Sequence, residues 1–222
     1  MDKRVYQALK ASVDSFAKVE NVNGEGIKVM LEKAFDTDKP FMEKVGGLDA
    51  AFDDNPHFEP LREVFFDLLM INFFTEDVRK LEEDYLESKE WEDIEEETLD
   101  RGTELLNVLL YLRECEDEDI DPSLDDFLKE FLLVEEDEFQ DEHHIYEDVI
   151  ANQILVETSY EEISKVAAKL PQSSELKDLF YPLMSFFYEQ KPSESDLAMF
   201  AGKAHEKAFE SAAYALLINF NK

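Results

Sequence analysis

Positive charge, cysteine, glycine and proline are all scarce in this sequence, and each scarcity excludes something. A single cysteine, Cys115, leaves no partner for an internal disulfide, so a reducing compartment such as the cytoplasm is the simplest home. Six glycines and seven prolines are few for 222 residues. A sheet-rich domain needs many turns, so the shortage points to long helices. No apolar run reaches the ~18 residues needed to span a bilayer, and the first segment, MDKRVYQALKASVDSF, has no stretch of signal-peptide type. Lys and Arg number 22 against 55 Asp and Glu, a formal charge of −33. Such a chain repels nucleic-acid phosphates and anionic membranes. It suits a basic protein as partner.

What is present is a core. Apolar residues make up 44% of the chain, with 18 Phe and 8 Tyr, so this is no disordered polyelectrolyte. They recur at helical spacing. Val5, Leu9, Val13 and Phe16 form one stripe, and Ile27, Met30, Leu31 and Phe35 a second. Pro40 suits the start of a helix at FMEKV, and Gly46-Gly47 reads as a break before a short LDAAF helix. The segment LREVFFDLLMINFF, residues 61 to 74, is apolar nearly all round except for Arg62, Glu63, Asp67 and Asn72, and belongs at the centre of a bundle. Thr75 reads as the N-cap of a following surface helix with the face Val78, Leu81, Tyr85. Another helix carries Leu105, Leu106, Leu109, Leu110 and Leu112.

The second half repeats the plan. NPHFEPLREVFFDLL (55 to 69) aligns without gaps on LPQSSELKDLFYPLM (170 to 184): Pro56 falls on Pro171, Leu61 on Leu176, Arg62-Glu63 on Lys177-Asp178, Phe65 on Phe180. VYQALKASV (5 to 13) falls on LDDFLKEFL (124 to 132), and LLNVLLYL (105 to 112) on AAYALLIN (212 to 219), in the same order. The expected architecture is an all-α, compact helical bundle of two diverged tandem units, 1–115 and 116–222, of about five helices each. Asp67 becomes Pro182 in the second copy, where a proline should kink or split the central helix.

The acids are uneven. Residues 76 to 148 hold 31 acids and 6 bases, and from Glu114 to Asp148 there are 17 acids and one base, Lys129. This acidic middle is the expected docking surface for a basic partner, carried by Glu116, Asp117, Glu118, Asp119, Asp121, Glu135, Glu136, Asp137 and Glu138, with Trp91 as an anchor.

Chemical motifs fall short. Asp117, Asp119, Asp121 and Asp125 imitate a calcium-binding helix-loop-helix loop, but Pro122 stands where Gly is needed and Leu128 where Glu is needed. His143 and His144 have acids four residues on, and Asp54 and Asp141 sit three before a His, but the dicarboxylate pattern wants Glu-x-x-His on two helices. Cys115 lies among Glu114, Glu116 and Asp117, which blunts a thiol. Gly24 and Gly26 are no phosphate loop. No cofactor, metal or catalytic site is expected from these residues. The expected function is that of a non-enzymatic acidic binding protein, of inhibitor or immunity type or a mimic of the charge of DNA. A metal-binding helical protein or metal-dependent enzyme using His57, His143, His144 or His205 with nearby Glu and Asp is the first alternative, and a structural scaffold the second.

Overall fold

The computed structural model describes residues 1–76, 80, 82–131 and 145–222. All regular structure among them is helical. Helix α1 (Lys3–Glu20) starts at Asp2, whose carboxylate accepts the N–H groups of Arg4 and Val5. It ends at Asn21, which takes the left-handed conformation (φ 55°) that Asn tolerates better than most residues. Helices α2 (Glu25–Asp36) and α3 (Phe41–Asp53) form an antiparallel pair. Gly46 and Gly47 lie inside α3 rather than breaking it. The reason is packing: a Cβ on Gly47 would stand 3.1 Å from the Ala34 methyl, so the glycine lets α3 lie close on α2.

A 3-10 turn (Pro56–Leu61) leads into α4 (Arg62–Glu76), which is buried from Val64 to Phe74 without interruption. Each fully buried Phe or Leu there contributes about 1.5–3 kcal/mol relative to exposure. The polar exceptions each have a partner. Arg62 gathers Asp49, Asp53 and Glu59 at the surface. Buried Asn72 accepts the N–H of Asp2 and donates to Glu76. Asp67 accepts the N–H of Leu105. Thr75 is not an N-cap: it lies in the last turn of α4 and its hydroxyl donates to the Asn72 carbonyl. Val78 and Leu81 lie outside the described residues.

Next come α5 (Glu83–Leu86), α6 (Lys89–Thr98), α7 (Leu106–Asp117) and α8 (Leu124–Asp126), the last continuing as a wider turn over Phe127–Phe131. After the undescribed stretch follow α9 (Glu147–Ala151), a 3-10 turn (Gln153–Glu157), α10 (Tyr160–Ala167), α11 (Lys177–Tyr188), α12 (Glu194–Lys203) and α13 (Lys207–Phe220). Helix α11 is buried from Leu179 to Phe187 and runs through Pro182 without splitting. Asp178, whose carbonyl loses its donor to that proline, is exposed in the first turn, where water can take the place of the missing N–H.

The most extensive helix pair joins the two ends of the described chain, α1 on α13. They run antiparallel: Arg4 lies against Phe220, and the Ser15 hydroxyl donates to the Ser211 carbonyl at 3.1 Å. Ala8 and Ser12 on one helix and Ala208 and Ala212 on the other are buried, and such small side chains let the backbones approach. The start of α8 is tied to α7 by the Tyr111 hydroxyl, which donates to Asp126 and accepts the N–H of Ser123, and the turn over Phe127–Phe131 packs on α7. The buried apolar residues form one contiguous core running through both halves of the chain. Among the described residues no helix is long and apolar enough to cross a membrane.

Candidate functional site

Four helix starts converge on one cleft. Glu63 and Val64 open α4, Glu104 precedes α7, Asp178 and Leu179 open α11, and Glu206 and Phe209 flank the start of α13. Pro60 and Glu175 complete a cavity of about 440 Å³. Its rim thus carries five carboxylates, and none of the described residues lining it is basic. Its apolar lining is buried Val64 and Leu179 and half-buried Phe209 below, with exposed Pro60 at the edge. Local physics explains why acids sit here. Carboxylates in a first helical turn face the positive end of the helix dipole, a gain of about 0.3–1 kcal/mol each.

That gain does not cancel their mutual repulsion. Burial, followed by the charges of Glu63 and Glu175, pushes the Glu104 carboxyl above its ordinary value. Glu63 is held from behind, since Arg101 donates to it at 3.0 Å and the Gly102 N–H at 3.1 Å. A cationic group entering the cleft would meet carboxylates at the rim and apolar carbon below. That combination suits the side chain of Lys or Arg, with its apolar stem and charged head.

A smaller cavity of about 370 Å³ adjoins it, sharing Asp178 and Glu206 and reaching His205 and Glu210. Burial pushes the Glu210 carboxyl up to about 7. Ser164 and His205 are 3.0 Å apart here, a spacing that invites a nucleophile reading. The bonding excludes it. The Ser164 hydroxyl donates to the Lys203 carbonyl at 2.7 Å, and His205 Nε2 also faces the Ser164 carbonyl at 3.1 Å, which assigns the proton to that nitrogen. Glu210 accepts the backbone N–H of His205. The trio ties α10 to α13 and orients no base toward the hydroxyl.

The residues expected from the sequence fall elsewhere. Trp91 on α6 is half-buried, its ring 5.4 Å from Phe74 and 6.2 Å from Tyr85, and it anchors α6 on the end of α4. Glu116, Asp117, Glu118, Asp119 and Asp121 are exposed at and beyond the end of α7. Their charge is partly answered: Arg4 pairs with Glu116, Arg113 with Asp117, and Lys191 lies 4.0 Å from Asp121. The cavity beside them has Arg4, Lys191 and Lys222 in its wall along with Glu116, Asp119 and Asp121, and Trp91 does not line it. Asp119 adopts a left-handed φ of 57°. Glu135, Glu136, Asp137 and Glu138, like His143 and His144, lie outside the described residues. His57 is exposed on the 3-10 turn before α4. Among the described residues no group of three or more His, Cys, Asp or Glu is placed to hold a metal ion.

Of the cleft's five carboxylates only Glu104 lies in the acid-rich stretch from 76 to 148. The available signal was the register that sets Glu63 on Asp178. No family model matches the chain, and no curated protein or solved structure matches it either.

Proposed function

We propose that this chain is a non-enzymatic binding protein that engages a basic protein partner, with a Lys or Arg side chain of that partner entering the cleft between α4, α7, α11 and α13. The observation that carries this reading is a cavity with five carboxylates at its rim, no base in its described lining and an apolar floor. The charge of −33 adds long-range attraction, which speeds encounter with a cationic surface and fades with salt. An inhibitor or immunity-type protein, or a mimic of the charge of DNA, would act in this way by occupying a basic site on its target.

The same reading includes the duplication, with units 1–115 and 116–222. Two features support it. The cleft walls are paired in the register found in the sequence: Pro60 with Glu175, Glu63 with Asp178, and Val64 with Leu179. The pairing of the ends points the same way, since α1 packs on α13 and the turn over Phe127–Phe131 packs on α7, so the start of each unit lies against the last helix of the other. A cleft at the junction of two such copies is built from both.

The test uses a labelled arginine-rich peptide as probe, titrated at low and at moderate salt. Neutralising the cleft with Glu63→Gln, Glu104→Gln and Asp178→Asn together should weaken binding at least about tenfold, as loss of desolvated charge contacts does. Neutralising Glu116, Asp117, Glu118 and Asp119 to their amides should produce a smaller loss that vanishes with added salt. Equal affinities for the cleft variant and the unaltered protein would sink the reading.

A further inference from the structure

We propose that Asp67 is a proton-dependent latch on the wall of the cleft: with its carboxyl neutral it fastens the Glu104–Leu105 segment to α4, and on ionisation it releases that segment. Asp67 lies one turn beyond Glu63, in the most apolar helix of the protein, and is 1% exposed. Its Oδ2 accepts the Leu105 N–H at 2.9 Å. Its Oδ1 is equally buried and has no hydrogen-bond partner among the described residues. A carboxylate in that place would hold a full charge on one backbone bond, whereas a neutral carboxyl gives up far less hydration to be there.

The charged groups around α4 do not relieve it. On α4 itself Glu63 is engaged by Arg101, and Arg62 by Asp49, Asp53 and Glu59. From α3, Asp49 is shared by Arg62 and Arg101, and Lys44 donates to Phe35 and Glu76. The 3-10 turn before α4 offers Glu59, already on Arg62, and the exposed His57. From α1, Arg4 pairs with Glu116, and from α7, Arg113 pairs with Asp117. The charges that act on Asp67 are those of Glu104 and Glu63, both negative, and burial above all pushes its carboxyl well above the ordinary range.

Ionisation sends the proton to water and leaves a charge that only hydration can settle. The junction that can open to admit water is the one Asp67 itself closes, at the start of α7. Glu104 immediately precedes Leu105 and lines the cleft, and its carbonyl also accepts the Tyr146 hydroxyl, so releasing Leu105 undoes one of two ties on this wall and loosens it. The bearing of the latch on binding rests on the function proposed above, while the latch itself is read without any partner.

Amide exchange of Leu105, followed by NMR between pH 5 and 9 and expressed as protection corrected for intrinsic exchange, tests it. Opening releases one proton, so protection should fall about tenfold per pH unit between the ordinary carboxyl range and the raised pKa of Asp67, then level off. An amide in mid α13, such as Leu217, should show a shallower dependence. The Asp67→Asn variant keeps an oxygen for Leu105 and removes the charge, so its Leu105 profile should keep only the shallower dependence that the raised carboxyl of Glu104 supplies. A flat profile in the unaltered protein, or an undiminished slope in the variant, overturns the latch. The carboxyl carbon shift of Asp67 in the unaltered protein gives a check that needs no variant: titration in the ordinary carboxylate range overturns it as well.

Discussion

The guanidinium of Arg4, near the start of α1, lies 5.0 Å from the ring centre of Phe220, at the end of α13. One turn of contacts after another links these helices as far as Ser15 and Ser211, so residues about 200 positions apart form the most extensive helix pair among the described residues. The pair depends on small side chains. Ala212→Leu inserts three carbons where Ala212 is fully buried. It should cost about 1–3 kcal/mol, because a packed core absorbs added volume only by strain. Urea unfolding measures it, and the same change at exposed Ala198 on α12 should fall within ~0.5 kcal/mol of the unaltered protein.

Stability should fall as pH rises from 5 to 8. Asp67, Glu104 and Glu210 all have carboxyl pKa values raised by burial. A raised carboxyl binds more protons folded than unfolded between its two pKa values. Its contribution is therefore complete below the unfolded value and is lost as pH climbs through the folded one. Glu161, with its pKa lowered to about 2 by Lys165 and Lys203, works in the opposite sense, but its contribution is complete above the unfolded value near 4.5 and constant in this window. For Glu210 the loss spans the interval from the ordinary carboxyl range to about 7. Chemical denaturation at pH 5, 6, 7 and 8 should show a decline, and Glu210→Gln should remove about 1–3 kcal/mol of it. A curve that rises with pH would contradict the assignment.

Arg101 should show stability and binding moving apart. It joins Glu63 and Asp49 at 3.0 and 2.9 Å and lies over the Phe66 ring. Arg101→Gln removes the cation behind the cleft. The fold should lose about 1–3 kcal/mol, as half-buried ion pairs and stacking contacts do. The arginine-rich probe should at the same time bind more tightly, because Glu63 is no longer neutralised from behind. Denaturation and peptide titration on one sample decide it, and a variant that binds more weakly while remaining folded would show that Arg101 organises the cleft instead.

How much of this was legible in the sequence depends on the range of the interaction. The stripes through Val5 to Phe16 and Ile27 to Phe35, and the all-round burial of 61 to 74, follow from periodicity alone and appear as α1, α2 and α4. Signals read from single residues failed where packing outweighed them. Gly46-Gly47 looked like a break, yet Gly47 is where α3 meets Ala34. Thr75 looks like a cap, yet the last turn of α4 accommodates it by a bond to the Asn72 carbonyl. The cleft carries no local pattern at all. Its carboxylates come from four helix starts spread between residues 63 and 206, and only the fold brings them together.

Trp91 gives the sharpest contrast between a sequence signal and its place in the structure. A lone Trp among acids resembles an interface anchor. Its ring packs on Phe74 and Tyr85, and the Ser88 hydroxyl accepts the Trp91 backbone N–H at the start of α6. Trp91→Ala should therefore cost about 1–3 kcal/mol of stability, the range for emptying a half-buried aromatic site. Amide protection should fall first in α6, since this ring and Ile94 hold that helix on the core. Affinity for the arginine-rich probe should be unchanged at a temperature where the variant is folded. A variant of full stability that has lost the probe would restore Trp91 to the binding surface and move that surface from the cleft to α6.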